Sequence, residues 1–362
     1  MEQKRLGDIA TYINGYAFKP EDRGSTGLPI IRIQDLTGNA YDLGFYDGKY
    51  PEKIEINDGD VLISWSASLG VYIWNRGRGL LNQHIFKVVF DKCEVNKQYF
   101  VFAVKYKLKE MELKTHGATM KHIVKKDFDN TVIPFPTVEK QADIAYILSK
   151  IESIVEFRQQ ELQQLDDLIK ARFVEMFGDM YLNSKGWPEA KLESMADVVS
   201  GITKGRKTKA EDLTEVPYMA VSNVKDGYID WTTVKTIEAT QQEIEQYRLL
   251  ADDVLMTEGG DPDKVGRGAI IKEPLENCIH QNHIFRVRLD ESVVLPEYFA
   301  EYLQHQRSKR YFLGCAKQTT GIASINMTQL RALPVLMPPL SKQEEFVLFK
   351  AQVDKSKLKK LR

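Results

Sequence analysis

The stretch from Val138 to Phe177 contains neither glycine nor proline and restricts the folds that this chain can adopt. It follows a Pro-x-Pro stop at Pro134 and Pro136 and ends before Gly178. Its apolar residues recur at alternating steps of three and four, the spacing of one helix face; they are Ile144, Leu148, Ile151, Val155, Leu162, Leu165, Ile169 and Met176. Such a helix spans about 60 Å and cannot bury its own stripe, so we expect an antiparallel partner helix or another subunit to cover it.

The sequences before and after this stretch share short patterns in the same order. Each match is weak alone, but six in order indicate a tandem duplication of a globular unit followed by a helix. The matches are Leu6-x-x-Ile9-Ala10 with Leu192-x-x-Met195-Ala196, Leu28-Pro29 with Val216-Pro217, Asp60-Val61-Leu62 with Asp253-Val254-Leu255, His84-Ile85-Phe86 with His283-Ile284-Phe285, Tyr99-Phe100 with Tyr298-Phe299, and Lys140-Gln141 with Lys342-Gln343.

The duplication predicts an α+β fold with two similar, strand-rich mixed α/β domains in tandem, separated and followed by long helices that form an antiparallel coiled-coil-like spacer. The predicted boundaries are a first domain at 1–137, a central spacer helix at 138–178, a second domain at 179–340 and a short final helix at 341–362. The apolar face of the final helix is Val347, Ala351 and Leu358. In the first domain we expect strands at Leu28–Asp35, Asp60–Trp65, Leu80–Phe90 and Thr131–Phe135, and a helix at Asn96–Leu113.

The composition, 43% hydrophobic and 28% charged, is typical of a globular protein. The sequence contains no apolar run of 18 residues, so we expect no membrane contact, and the first residues lack the apolar core of a secretory signal. Three widely spaced cysteines, Cys93, Cys278 and Cys315, argue against a disulfide framework. We therefore expect a cytoplasmic protein.

The motifs of common cofactor sites are absent from the sequence. No G-x-G-x-x-G follows a predicted strand, and G-x-x-x-x-G-K-[ST], G-x-S-x-G and H-E-x-x-H do not occur. The Pro-Pro-aromatic signature of amino-methylating enzymes is also missing. We expect no catalytic residue, no bound cofactor and no metal in this chain.

Three groups of residues nevertheless have the composition of an active site. Cys278, His280 and His283 are ligand types, but strand alternation puts 278 and 280 on one face and 283 on the other. His84 and His283 are equivalent in the repeat, and a histidine that orders a backbone turn is the favoured interpretation. Glu258–Lys264 has the carboxylates and lysine of a metal-dependent nuclease, yet Gly-Gly and Asp-Pro first indicate a turn.

The remaining polar and basic loop residues are candidates for binding nucleic acid. A net charge of −1 argues against a free-standing DNA binder, but local basic loops are what a phosphate senses within a Debye length of about 10 Å. Ordinary solvated loops are the alternative. The candidates are Arg32, Gln34, Ser64, Ser66, Arg76, Arg78, Thr119, Lys121, His122, Lys204, Arg206, Lys207, Lys209, Ser222, Asn223, Lys264, Arg267, Lys317, Gln318, Thr319, Thr320 and Ser324.

The chain as a whole resembles the specificity (S) subunit of type I restriction–modification enzymes. The residues that carry the resemblance occur twice: the turns Asp60–Leu62 and Asp253–Leu255 with a later glycine, the His-Ile-Phe strands, and the Lys-Gln at the start of each long helix. Ala171–Asp179, which closes the central helix, adds to it. The individual patterns are loose, but their order, repeated twice, is typical of that family.

This resemblance implies two target-recognition domains, each of which reads one half of a split sequence in double-stranded DNA. The paired helices would set the gap and dock two modification (adenine methyltransferase) subunits, with two restriction (translocase–nuclease) subunits joining for cleavage. S-adenosylmethionine, ATP and Mg²⁺ would then be used by the partner subunits, and the target adenines would be flipped into the methyltransferases. Two alternatives stay open: a DNA-binding endonuclease with its own metal-dependent loop, and a structural scaffold that does not read DNA.

Overall fold

The computed structural model describes residues 2–39, 43–114, 123–206, 212–261, 265–319 and 321–361. These residues form two compact units, Met1–Phe157 and Arg158–Arg362. The division falls inside the long helix α5, Val138–Phe177, whose two ends belong to different units. The predicted functional boundaries at 137 and 178 stay a prediction.

The first unit is built on a four-stranded antiparallel sheet in the order β2-β9-β6-β7. A second sheet, β4-β3-β8-β5, contains the parallel pair β3 and β8, and β1 pairs with β10. The strands are β1 Gln3–Arg5, β2 Thr11–Asn14, β3 Leu28–Ile31, β4 Phe45–Tyr46, β5 Glu55–Ile56, β6 Val61–Ser64, β7 Gly70–Ile73, β8 Gly79–Leu81, β9 Ile85–Val89 and β10 Val132–Pro134; the helices are α1 Leu6–Ile9, α2 Ile33–Thr37, α3 Lys97–Lys114 and α4 Lys125–Asp129.

The second unit repeats this topology with the sheet β12-β19-β15-β17 and the pair β11-β22. It also contains the sheets β14-β13-β18 and β16-β21-β20. The strands are β11 Glu189–Lys191, β12 Ala196–Ser200, β13 Thr214–Met219, β14 Lys235–Ala239, β15 Val254–Thr257, β16 Gly259–Gly260, β17 Gly268–Ile270, β18 Ile279–His280, β19 Ile284–Leu289, β20 Lys317–Thr319, β21 Ile322–Ser324 and β22 Pro334–Leu336; the helices are α6 Gln241–Tyr247, α7 Pro296–Leu303, α8 Gln306–Cys315, α9 Met327–Arg331 and α10 Leu340–Leu361.

The duplication is visible in individual hydrogen bonds as well as in topology. The Tyr99 hydroxyl donates to the Pro134 carbonyl at 2.7 Å, and the Tyr298 hydroxyl donates to the Leu336 carbonyl at 2.9 Å. Each bond ties the first turns of a helix to the last strand of its unit. The repeat predicted from the sequence is therefore confirmed.

Two glycines of the repeat are required by close packing of the backbone. A Cβ atom on Gly15 would lie 2.0 Å from the Asn82 carbonyl oxygen, and one on Gly201 would lie 1.9 Å from the His280 carbonyl oxygen. Any side chain at either position would collide with main chain that cannot rotate away.

The helix predicted from Val138 to Phe177 is confirmed with both of its boundaries. Its stripe is buried at Ile169 and Met176, but Ile151 and Val155 are about half exposed. The Phe346 ring of α10 packs 5.1 Å from that of Phe173. The remaining predicted stripe residues, Ile144, Leu148, Leu162, Leu165 and Val347, are partly buried, Ala351 is exposed, and the side chain of Leu358 lies outside the described part.

Helices α5 and α10 run antiparallel within the second unit. Arg172 pairs with Glu345 at 2.8 Å, whereas the earlier Asp166 pairs with the later Lys357 at 2.6 Å. The antiparallel partner expected for the long helix is thus confirmed over the described length of α10.

Two of the predicted strands are only partly correct. In Leu28–Asp35 the strand ends at Ile31, because the Asp35 carboxylate accepts the Arg32 backbone N–H at 2.8 Å and starts helix α2. The predicted strand Leu80–Phe90 is interrupted at His84, which has a φ of 71°. A left-handed residue cannot continue a strand, so β8 and β9 lie in different sheets. The helix expected at Asn96–Leu113 is confirmed as α3.

Candidate nucleic-acid interface

The main sheet of each unit has two ends that differ in what surrounds them. Beyond the carboxyl end of β9, the Asn96 backbone N–H donates to the Gln141 side chain of α5 at 2.9 Å. Beyond the carboxyl end of β19, the Leu295 N–H donates to the Gln343 side chain of α10 at 2.8 Å. We call this the helix end of the sheet. The opposite end, where β9 and β19 begin, is the distal end; six residues of β19 separate the two ends by about 20 Å.

The basic loop 203–206 of the second unit follows β12 at the distal end. Lys204 is exposed, but Arg206 bonds to groups within the unit. Its guanidinium forms a bidentate ion pair with the Glu243 carboxylate, at 2.6 and 2.5 Å, and also donates to the Glu238 carbonyl. Glu243 also accepts the Thr240 N–H at the start of α6, and the Arg206 bond lowers the pKa of Glu243 to about 2. Arg206 therefore anchors the loop, while Lys204 faces solvent. Lys207 and Lys209 lie outside the described residues.

The hairpin of β20 and β21 is a second distal element of this unit. It is hydrogen-bonded to β16, with Gly259 opposite Ser324 and Lys317 opposite Ser324. Lys317 is exposed and Ser324 is half-buried. Gln318 and Thr319 lie in β20, although their side chains are outside the described part of the structure, as are residues Thr320 and Lys264.

Arg267 and Ser222 also lie towards the distal end. The Arg267 carbonyl accepts the Thr257 N–H at 3.1 Å, and its partly buried guanidinium has an Nε atom without a hydrogen-bond partner among the described residues. Ser222 is exposed next to Val221, whose N–H donates to the Gln281 side chain. In the first unit, Thr119, Lys121 and His122 lie outside the described residues.

A further set of candidates gathers around helix α2 in the first unit. The Arg76 guanidinium lies 4.5 Å from the Trp74 ring centroid and donates to the Asp35 carbonyl at 2.6 Å. Arg32, largely buried, pairs with the Asp35 carboxylate at 3.3 Å. Gln34 is exposed on the same helix. Arg76 and Gln34 are thus available to a ligand, whereas Arg32 stabilises the turn.

Arg78 belongs to a separate cluster. Its Nε donates to the Glu55 carboxylate at 2.9 Å, and the Tyr50 hydroxyl donates to the same carboxylate at 2.8 Å. These bonds lower the pKa of Glu55, and they raise the pKa of Arg78 and of Tyr50. Arg78 is 61% exposed and faces solvent beside its partner.

Three of the predicted contact residues do not fit a role at the surface. Ser64 is fully buried and donates to the Ser68 carbonyl at 2.6 Å, and Ser66 is 6% exposed. Asn223 is also fully buried; it accepts the Ala220 N–H and donates to the Asp230 carbonyl, both at 2.9 Å. The polar atoms of Ser64 and Asn223 close turns, which residue type alone did not distinguish from DNA contact.

The cysteine and histidine that resembled metal ligands have internal roles. Burial raises the pKa of the Cys278 thiol to about 12. His280 donates from Nδ1 to the Ile284 carbonyl at 3.1 Å, and burial lowers its pKa to about 4. Among the described residues, no group of three histidine, cysteine or acidic side chains could hold a metal ion.

One distal pair was not included among the candidate residues. The His283 ring bonds through Nδ1 to the Glu258 carboxylate. At the equivalent place in the first unit, Trp65 packs against His84 with ring centroids 4.9 Å apart. The backbone confirms the equivalence: the Trp65 N–H donates to His84 and the Glu258 N–H donates to His283. In the sequence, the repeated His-Ile-Phe marked His283 and the acidic segment Glu258–Lys264 marked Glu258, but neither pattern showed that the two side chains meet.

Solved structures share the fold of this chain. An S subunit of a type I restriction-modification system from M. genitalium matches with a TM-score of 0.55, at 14% identity over 99% of this chain and 90% of that one. A chain from a structure of complex assembly and conformational transition in a type I R-M system matches with a TM-score of 0.53, at 15% identity and the same coverage. These likenesses define the fold as that of S subunits.

Sequence comparison gives the family. The model for the type I restriction modification DNA specificity domain matches residues 1–167 and again 184–361. The specificity subunit of the EcoBI enzyme from Escherichia coli is 22% identical over 94% of this chain and 77% of its own length. The MjaVIII specificity subunit from Methanocaldococcus jannaschii is 24% identical over 85% of this chain and 76% of its own length. The chain belongs to the type I restriction-modification DNA specificity family and is a specificity subunit with two such domains.

In the described residues, no helix is both long and apolar enough to cross a membrane.

Proposed function

We propose that each unit reads one half of a bipartite DNA target through the distal end of its main sheet, and that the long helices set the gap between the halves. The observation that carries this proposal is that the two ends of the main sheet differ in the same way in both units. In both, a buried glutamine fixes the helix end of the sheet to α5 or α10. The loops at the distal end carry exposed polar residues, such as Ser68 and Gln83 in the first unit and Lys204 and Lys317 in the second.

The charge of the distal loops supports contact with phosphates. Lys204 and Lys317 are exposed there in the second unit, and Arg267, towards the same end, is half-buried. Phosphate contacts fix the position of a protein on DNA, while hydrogen bonds to base edges give specificity. A spacer helix of about 60 Å suits half-sites about one helical turn, ~34–36 Å, apart on one face of the DNA.

The chain is proposed to be non-catalytic. S-adenosylmethionine, ATP and Mg²⁺ would be used by its partners: two modification subunits and, for cleavage, two restriction subunits. The exposed apolar residues Ile147, Ile151, Ile154 and Phe157 on the first part of α5 provide a surface for docking the modification subunits. A cytoplasmic location fits these partners.

The experiment that tests the proposal is co-expression with the modification subunit, followed by mapping of methylated adenines across the genome. A split motif is expected. Replacing residues 1–137 with the first domain of another family member leaves α5 intact and should change only one half of that motif. A continuous motif, or a change in both halves, would contradict the proposal.

The purified chain provides the control for catalysis. Incubated with DNA and Mg²⁺, it is expected to leave the DNA uncut. Cutting that is lost in the Asp261→Ala variant would support an endonuclease instead.

A further inference from the structure

We propose that Glu258, held by His283, is a specificity-determining residue of the second unit, and that it selects a base carrying an exocyclic amino group in the major groove. This inference rests on the proposed function, because it assumes that the distal end of each sheet faces DNA. It concerns one position of one half-site.

Glu258 follows β15 and His283 precedes β19, so both lie at the distal end of the main sheet. The backbone of Glu258 is fixed on both sides: its N–H donates to the His283 carbonyl at 3.0 Å, and its carbonyl accepts the Ile325 N–H at 2.8 Å. The carboxylate therefore projects from a rigid element, next to the hairpin that carries Lys317.

His283 also orients the Glu258 carboxylate. His283 Nδ1 contacts only one of its oxygens, Oε2. An ionised carboxylate only accepts hydrogen bonds, so Nδ1 carries the proton and donates. The Glu258 side chain is 34% exposed and that of His283 is 56% exposed, so the pair reaches the surface. Among the described residues no group bonds to the other carboxylate oxygen, Oε1, which can therefore accept, while His283 limits rotation of the Glu258 carboxylate.

A carboxylate held in one orientation can form favourable contacts with few groups of DNA. It repels phosphates, so it gives no favourable contact with the backbone. In the major groove it can accept from the amino groups of cytosine N4 or adenine N6, but not from guanine O6 or thymine O4, which are themselves acceptors. Nearby Lys317 would balance the charge through phosphate contact.

The first unit has different chemistry at the same place. Trp65 packs between His84 and Phe86, with its ring 5.6 Å from that of Phe86, and its Nε1 donates to the Asn14 side chain at 3.3 Å. An indole has no acceptor for an amino group. The two units thus present different side chains, a carboxylate and an indole, at the same place in the repeated backbone.

The test uses the Glu258→Gln variant, in full-length chain co-expressed with the modification subunit, and maps methylated adenines. The wild-type chain is mapped first, and its methylated adenines are expected to define a split motif. The absence of a split motif would contradict the proposed function itself, whereas the outcomes for the variants test the role of Glu258. In the variant, discrimination is expected to fall about tenfold or more at one position of the second unit's half-site, with the other half unchanged. Trp65→Ala should alter only the first unit's half.

Glu193→Gln is the matched control, because Glu193 is exposed in the segment before β12, at the helix end of the main sheet. It should change neither half. Binding of the purified complexes to oligonucleotides with each of the four bases at that position separates the remaining outcomes. An equal loss of affinity for all four bases would show a structural role and overturn the inference, as would an unchanged base preference in both Glu258→Gln and Glu258→Ala.

Discussion

At the scale of single residues, the repeat is maintained by a pair of buried glutamines. Gln141 accepts from Asn96 and donates to the Pro136 carbonyl at 2.8 Å, and Gln343 accepts from Leu295 and donates to the Pro338 carbonyl at 2.9 Å. Both are fully buried. Each glutamine satisfies backbone groups from two segments that would otherwise be buried without partners.

Replacing Gln343 with alanine should therefore destabilise the second unit by about 2–4 kcal/mol, because it leaves a buried N–H and buried carbonyls unsatisfied. Gln141→Ala should have the same effect on the first unit. Urea unfolding of the full chain measures both. Gln160→Ala, at an exposed position of α5, is the control and should stay within about 0.5 kcal/mol of wild type. Similar losses in all three variants would refute the role of the buried amides.

His280 should make the second unit sensitive to mild acid. Burial lowers its pKa to about 4, below the unfolded value of about 6.5, so folding favours the neutral ring. The free energy of unfolding that the neutral His280 ring contributes is complete above about pH 6.5 and is lost as the pH falls through about 4. Urea unfolding between pH 7 and 4 should show this fall, and His280→Gln should make it shallower. The remaining slope would come from His305 of the same unit, whose pKa burial also lowers. A slope unchanged in the variant would contradict the role of His280.

At the scale of elements, α10 is held to the second unit by aromatic packing. The Phe346 ring is fully buried and lies 5.1 Å from Phe173 and 5.8 Å from Phe177, both on α5. Tyr298 of α7 packs against the same two α5 rings. This cluster joins three helices that are far apart in sequence.

Phe346→Ala should cost about 3–5 kcal/mol, since it opens a cavity in this cluster. Leu348→Ala is a matched control on the same helix, because Leu348 is 67% exposed. Thermal unfolding followed by circular dichroism compares the two variants. Equal stability of both would mean that α10 contributes little to the fold of the unit.

At the scale of the whole molecule, the charge predicts how DNA binding depends on salt. The chain has a net charge of −1, and among the described candidates several basic side chains are paired internally, as for Arg206 and Arg32. A protein that neutralises few phosphates has a shallow dependence of log K on log salt, with a slope of about −0.9 per phosphate. We expect a shallow slope for this chain alone and a steeper one for its complex with modification subunits.

Fluorescence anisotropy with the target duplex at several salt concentrations measures both slopes. Equal slopes would show that this chain supplies the phosphate contacts by itself.

The sequence by itself determined the duplication, the long helix and its antiparallel partner, because these depend on periodicity and on patterns that repeat in order. It also proposed basic residues for contact with DNA, which stays a prediction. Tertiary structure decided which of them face solvent. Arg206 and Arg32 meet carboxylates, Glu243 and Asp35, and the hydroxyl of Ser64 meets a carbonyl across a turn. The Glu258–His283 pair also required the fold, since strand pairing brings together residues that lie apart in the chain. Local sequence records residue type, but exposure and partners depend on contacts between distant segments.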